Sequence, residues 1–334
     1  MNTGKAVMVS IAIVAAGLAA VAGVSYAVYR KTLDNLHSAQ TPAAKPGKDV
    51  AQAPACGKHD EYAQAKLVLA PAADALQRSE RPVARISLQD LDTDDTGVSK
   101  VGGRAYWAAS RDYPRDPKGQ PLFLLAQIKL SEVPKMPGYP ERGLLQFFIA
   151  NDEFYGAALD EANGAGRMQA LAQQKGFRVV YWPDASAPAV ILPPAPAHAD
   201  SLPFDPGKPR RMRFSADHES IGLNDAGLSK ALGGEIDDAV ERYSASHPDD
   251  HSSAEDLHDS VADYLERTGH KLGGYPDFTQ SDPRDASDRR VLLFQLDSDD
   301  SMMWGDSGIA NFFIDPDDLA RADFSRVSYH WDCY

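Results

Sequence analysis

The residues of this chain best suited to chemistry are two histidines, His270 and His330, in its C-terminal quarter. Imidazole is the side chain that most readily exchanges a proton near neutral pH. Asp306, in a Gly-Asp-Ser-Gly turn, and two aromatic residues, Tyr275 and Trp304, could complete a cleft around the histidines. Such a cleft would suit a hydrolase or a protein that binds a small molecule.

The chain carries none of the common catalytic motifs. It has no phosphate-binding loop, no GxSxG nucleophile elbow and no HExxH zinc motif. We therefore predict no catalytic residue and no cofactor. The cleft around the histidines remains the alternative to a binding function without catalysis.

A group of acids, Asp297, Asp299 and Asp300, precedes the Gly-Asp-Ser-Gly turn. The net charge of the 334-residue chain is −14, so the phosphate backbone of nucleic acids would be repelled. The acids lack the glycine and glutamate spacing of a calcium-binding loop, and no metal site is predicted. We interpret them as a binding face for a partner protein of basic character, as in an immunity protein that neutralises a basic partner.

The elements that position these residues come from an internal repeat. Four pairs of segments match: 100–103 with 271–274, 124–128 with 292–296, 143–154 with 308–319, and 178–182 with 326–331, the last pair beginning at Arg178 and Arg326. A repeat of this length predicts an internally duplicated fold, with repeat 1 at about 99–184 and repeat 2 at about 270–334. His270 and His330 have no histidine counterpart in repeat 1, where Ser99 stands opposite His270 and a gap opposite His330, which predicts that the repeats differ in function.

The pattern of apolar residues predicts an α+β fold. Strands are predicted over 83–88, 122–130, 144–149, 178–182 and 211–214, and helices over 157–174, 225–245 and 254–267. Each repeat has too few strands to bury both faces of a sheet. We therefore expect the repeats to share one core, built from mostly antiparallel sheets with flanking helices.

The N-terminal region is predicted to lie outside this fold. Residues 6–29 carry no charge, and about 20 apolar residues suffice to cross a bilayer. We predict a single-pass membrane anchor within residues 1–30, a flexible linker over 31–59 and a folded domain over 60–334. A cleaved signal peptide is the alternative. Basic residues flank the segment on both sides, so the topology stays open, with the cytoplasmic side as the expectation for the folded domain.

Two sets of motifs carry a family resemblance: residues 99–103, 125–128 and 143–148, and residues 270–276, 292–299, 304–308 and 311–314. The first set is similar to the first half of the YwqG family, a family of unknown function, and the second set to its second half. The resemblance covers roughly residues 60–334. It implies an internally duplicated α+β fold of the kind found in soluble bacterial proteins, and it supplies no established catalytic residues. The N-terminal apolar segment departs from that pattern.

Overall fold

A computed structural model describes residues 62–159, 166–190, 199, 201–285 and 287–334. These residues belong to one compact unit, His59–Tyr334. The predicted anchor and linker lie outside the described residues, as does Cys56, one of the two cysteines of the chain.

Ten strands of the described part form one sheet. They are β1 (Arg81–Asp90), β2 (Lys100–Val101), β3 (Phe123–Lys129), β4 (Leu144–Ile149), β5 (Phe177–Trp182), β6 (Arg210–Glu219), β7 (Lys271–Gly273), β8 (Val291–Asp297), β9 (Ile309–Ile314) and β10 (Ser328–Asp332). Their order across the sheet is β10-β9-β8-β7-β1-β6-β2-β3-β4-β5. Each pair of neighbours is antiparallel, so the predicted antiparallel sheet is confirmed.

The strand order divides the sheet around its central pair, β1 and β6. We call β2–β5 the first half-sheet and β7–β10 the second half-sheet. Gln127 faces Gln146 across β3 and β4, and Gln295 faces Asn311 across β8 and β9. Both pairs of strands carry a bulge at the same place in the ladder. The internal duplication stays a prediction, with which this matching register agrees.

The two half-sheets pack against each other through their inner faces. The ring of Phe147 lies 4.8 Å from that of Phe294 and 4.7 Å from that of Phe312. These distances are typical of favourable aromatic contacts. The sheet is therefore strongly curved and nearly closed, and the largest hydrophobic cluster lies inside it.

Short helices complete the α+β fold in the described residues. They are α1 (Ala63–Val68), α2 (Ala73–Arg78), α3 (Arg167–Leu171), α4 (Leu228–Leu232), α5 (Ile236–Ser246), α6 (Ala254–Leu265) and α7 (Pro316–Ala320). Apolar residues of α1, α2, α4, α5 and α6 form a second hydrophobic cluster. This helical cluster is separate from the core of the sheet.

Two helix predictions need correction. The helix predicted over 225–245 is two helices, because Gly233 and Gly234 both adopt positive φ angles and end the first of them. The helix predicted over 157–174 is reduced in the described residues to the five residues of α3. Gly156, with φ of 80°, turns the chain just before the predicted start.

The predicted single-pass membrane localisation is wrong for the described part of the chain. No helix there has the length and apolar composition needed to cross a membrane. The longest, α6, has 12 residues and so spans about 18 Å, whereas the hydrocarbon core of a bilayer is about 30 Å thick. The segment behind the prediction, residues 6–29, lies outside the described residues.

Candidate functional site

A groove of about 890 Å³ is formed by three regions of the chain that are distant in sequence. The first region is the pair of loops before and after β2, the second is the loop that precedes β6, and the third is the loop that joins β8 to β9. Residues that line it include Asp94, Arg104, Leu202, Pro203, Phe204, Asp205, Asp299, Asp300, Met302 and Met303. Four carboxylates and one arginine are thus in the lining, and we call this cavity the acidic groove.

The β8–β9 loop is held in shape by Asp299. Its Oδ1 accepts hydrogen bonds from the backbone N–H and the hydroxyl of Ser301, both at 2.7 Å. Its Oδ2 accepts a hydrogen bond from Nε2 of His270 at 3.1 Å. Burial would raise the pKa of Asp299, but the hydrogen bonds from His270 and Ser301 hold that pKa below its usual range. Asp299 therefore stays ionised at neutral pH.

His270 is a positioning residue for this loop. Its Nδ1 accepts a hydrogen bond from the backbone N–H of Asp297 at 3.0 Å, so its Nε2 carries the proton that Asp299 accepts. The carboxylate of Asp297 accepts the backbone N–H groups of Gly269 and Ser298, each at 2.7 Å. Burial raises the pKa of Asp297. Of the three acids predicted as a binding face, Asp299 and Asp300 line the groove and Asp297 supports the loop.

Asp300 and Met303 are two of the exposed side chains of the groove. Asp300 makes no hydrogen bond or ion pair with any described residue, and 50% of the surface of Met303 is exposed. The backbone N–H of Met303 donates to the carbonyl of Pro203 at 2.7 Å, which fixes the β8–β9 loop to the loop before β6. Phe204 and Met302 are buried below and belong to the core of the sheet. The groove therefore has an apolar base and an acidic rim.

At the opposite wall, the charge of Asp94 is compensated strongly and that of Asp205 only weakly. Asp94 forms an ion pair with the buried Lys100 and accepts a hydrogen bond from the backbone N–H of Arg104 at 2.8 Å. Asp205 lies 3.2 Å from Nζ of Lys208, and both side chains are exposed. Exposed pairs of this kind are weak. The net negative character of the groove therefore comes from Asp205, Asp299 and Asp300.

The five residues of the predicted cleft do not come together. Tyr275 packs in the helical cluster, where its hydroxyl donates to the carbonyl of Ser79 at 2.6 Å. Trp304 is fully buried in the core of the sheet. Asp306 is exposed in the turn before β9.

His270 and His330 also lie apart. In β10 the neighbours of His330, Tyr329 and Trp331, point into the core of the sheet, so His330 points to the outer face. There its Nε2 accepts a hydrogen bond from Nη2 of Arg167 at 3.1 Å. Burial lowers the pKa of His330 to about 3, and the charge of Arg167 adds to the effect. His330 is therefore neutral at physiological pH and remote from the loop that His270 supports.

Sequence reasoning missed half of the groove. Asp94 and Asp205 are separated by more than a hundred residues, and only the pairing of β6 with β1 and β2 brings their loops together. The sequence Phe-Asp-Pro-Gly at 204–207 signals a turn, but nothing in it indicates which loop it faces. No group of three or more His, Cys, Asp or Glu residues in the described ranges could hold a metal ion.

Fold and site together define an α+β protein with a mostly antiparallel sheet and an acidic groove. The family described as "Domain of unknown function (DUF1963)" matches residues 99–333, and the chain belongs to this family. The matched range covers most of residues 60–334, over which the sequence resembles a family of unknown function. A search of curated proteins finds no match.

Proposed function

We propose that this protein is a non-enzymatic binding module that holds a basic segment of a partner protein in its acidic groove. The proposal rests on two side chains at a groove of about 890 Å³. Asp300 is exposed and has no partner among the described residues, and Met303 is half exposed. An unpaired carboxylate beside an exposed apolar side chain offers both charge and contact area to a ligand.

The chemistry of the rim and base fits lysine and arginine side chains. These side chains place an apolar stem against apolar surface and keep the charged end in a polar setting. In the groove, Met303 and Leu202 would contact the stem, while Asp205, Asp299 and Asp300 would face the charge. The net charge of −14 adds long-range attraction for a basic partner.

The groove is also preorganised. Asp299 is held by His270 and Ser301, and the backbone of Met303 is bonded to Pro203. Binding to loops that are already ordered avoids part of the entropic cost of association. The volume lies within the usual range of ligand pockets, about 300–1,000 Å³, and accommodates a few residues of an extended segment.

The test is binding of synthetic peptides that carry lysines and arginines around one apolar residue, compared with acidic peptides of the same length. We expect basic peptides to bind the wild type, and the double variant Asp205→Lys/Asp300→Lys to bind them about tenfold more weakly at low salt. Both acids are exposed, so the variant should fold. Fluorescence anisotropy at two salt concentrations measures the effect.

The matched control is Glu241→Lys/Glu255→Lys. Glu241 on α5 and Glu255 on α6 are exposed acids that do not line the groove, so this double change alters the net charge by the same amount without touching the site. Equal binding by the two double variants would refute the groove as the binding site. Preference for acidic peptides would refute the charge argument.

A further inference from the structure

A second cavity, of about 620 Å³, lies beside β5, the strand at one edge of the sheet. Three arginines, Arg111, Arg115 and Arg178, line it together with a single carboxylate, Asp112. The cavity is therefore rich in positive charge, although the chain as a whole has a net charge of −14. We call the cavity the arginine pocket, and it shares no lining residue with the acidic groove.

Two of the arginines are held in place by the protein. Arg111 stacks on the ring of Trp182 at 4.3 Å and donates from Nη1 to the carbonyl of Tyr181 at 3.0 Å. Arg115 donates from Nη1 to the carbonyl of Gly119 at 2.8 Å. A guanidinium has five N–H donors, so each keeps donors for a ligand. Arg178 makes no hydrogen bond or ion pair through its guanidinium with the described residues, and its side chain is exposed.

Four aromatic residues, Trp107, Tyr113, Tyr181 and Phe324, are also in the lining, and their polar atoms are already occupied. Nε1 of Trp107 donates to the carbonyl of Arg111 at 2.8 Å. The hydroxyls of Tyr113 and Tyr181 donate to backbone carbonyls at 3.1 and 3.0 Å. Burial raises the pKa of Tyr113, so its hydroxyl stays protonated. The aromatic residues therefore offer a ligand their rings alone, while the arginines offer N–H donors.

From this arrangement we infer that the arginine pocket binds a small organic anion in which an aromatic or heteroaromatic ring carries a carboxylate or phosphate group. Guanidinium groups bind both oxyanions in a bidentate manner. A ring on the same ligand would pack against the partly exposed ring of Tyr113 or Tyr181, since aromatic pairs are favourable in edge and offset arrangements. The volume suits a ligand of nucleotide size.

The experiment is isothermal titration of the full chain with two probes, adenosine 5′-monophosphate for the phosphate form and 4-hydroxybenzoate for the carboxylate form. We expect at least one probe to bind, with an affinity that falls as salt is raised. Adenosine and inorganic phosphate, which each lack one half of the ligand, should bind more weakly than the monophosphate. The probe that binds better identifies the oxyanion.

Arg178→Ala should weaken binding of that probe about tenfold, the usual effect of losing one hydrogen bond to a charged group. Arg178→Lys should weaken it less, because the positive charge remains. The control is Arg289→Ala, which removes an exposed arginine outside the pocket and should leave binding unchanged. Failure of both probes to bind at millimolar concentration would overturn the inference, as would equal affinity in Arg178→Ala and the wild type.

Discussion

The outer faces of the two half-sheets have the same backbone register but opposite chemistry. Val180 faces Gln146 across β4 and β5, and His330 faces Asn311 across β9 and β10. At the next position on this face, the first half-sheet has Trp182, where the second has Asp332. The first face is covered by an aromatic cluster that includes Trp182, whereas the second carries ionisable side chains.

In the first half-sheet the buried amide is fully bonded. Nε2 of Gln146 donates to the carbonyl of Tyr106 and to Oε1 of Gln127, each at 2.8 Å, and its Oε1 accepts from Nε1 of Trp182 at 2.7 Å. A network in which each atom has a partner rigidifies a core at little cost.

In the second half-sheet the corresponding set is incomplete. Nδ2 of Asn311 donates to the carbonyl of Asp277 at 2.7 Å, but its Oδ1 has no protein partner among the described residues, and neither has Nδ1 of His330. Asp332 instead accepts backbone N–H groups of Thr279 and Gln280. One ladder of hydrogen bonds thus supports either a closed aromatic cover or a polar face. The outer side chains decide which.

The largest difference between the half-sheets should appear at their buried lysines. Lys271 donates to Oε1 of Glu219 at 2.9 Å, and only 3% of that carboxylate side chain is exposed. Lys100 pairs with Asp94, which is 22% exposed and also bonded by Arg104. Lys271→Met should lower the free energy of unfolding by about 3 kcal/mol, the lower end of the range for breaking a buried ion pair, because the buried Glu219 keeps Arg85 as its other partner at 2.8 Å.

Lys100→Met should cost about 1–3 kcal/mol, because water and Arg104 still reach Asp94. Urea unfolding followed by circular dichroism measures both variants. Equal losses would show that burial of the carboxylate does not distinguish the two ion pairs.

A smaller effect is expected at the aromatic cover. Trp182→Phe removes the donor to Gln146 and leaves a buried amide oxygen unpaired, which should cost about 1–3 kcal/mol. The matched change is Trp107→Phe. Trp107 belongs to the same cluster, and its indole donates to the carbonyl of the exposed Arg111. Water can replace that donor, so thermal unfolding should show a smaller loss. A larger loss for Trp107→Phe would contradict the view that the closed amide network distinguishes the first half-sheet.

The smallest effect at neutral pH is expected at His330. His330→Val installs the residue found at the same register in the first half-sheet, and the free energy of unfolding at pH 7 should change by about 1 kcal/mol or less. The imidazole is neutral there and has one nitrogen without a protein partner, so little hydrogen bonding is lost.

The effect of His330 on the free energy of unfolding should appear at acidic pH. The pKa of His330 is lowered to about 3 by burial and by Arg167, whereas in the unfolded chain it is about 6.5. Between these values the unfolded state binds more protons, so the stability of the wild type falls as pH drops from about 6.5 toward 3. The variant His330→Val should lose less stability over this range in urea titrations. His251→Val, at an exposed position, serves as the control, and parallel curves for all three proteins would contradict the prediction.

The positions of the strands were easier to predict from the sequence than the residue-by-residue match between the two repeats. The strand over 144–149 lies where its apolar run predicted, because its residues are buried on both faces. Motif matching placed Arg178 opposite Arg326. The register instead places Arg178 beside Phe148 and Ser328 beside Phe313, so the counterpart of His330 is Val180 rather than a gap.

The site was predicted in part. Asp299 and Asp300 adjoin a recognisable turn, whereas Asp94 and Asp205 reach the groove only through long-range strand pairing. Local sequence patterns carry no information on such pairing. The cleft of His270 and His330 failed to form because His270 precedes β7 and bonds to the β8–β9 loop, whereas His330 lies in β10 and bonds to Arg167 on the outer face of the sheet.

The hydrogen bond from Arg111 to the carbonyl of Tyr181 has a consequence for self-association. β5 ends the sheet, and the free backbone groups of an edge strand can pair with the same strand of another molecule. Arg111 occupies one such carbonyl, and Oε1 of Gln174 occupies the N–H of Val179 at 2.9 Å. Loss of the Arg111 side chain would therefore unmask this carbonyl at the edge of the sheet. A ligand bound through the remaining N–H donors of Arg111 would leave the carbonyl covered.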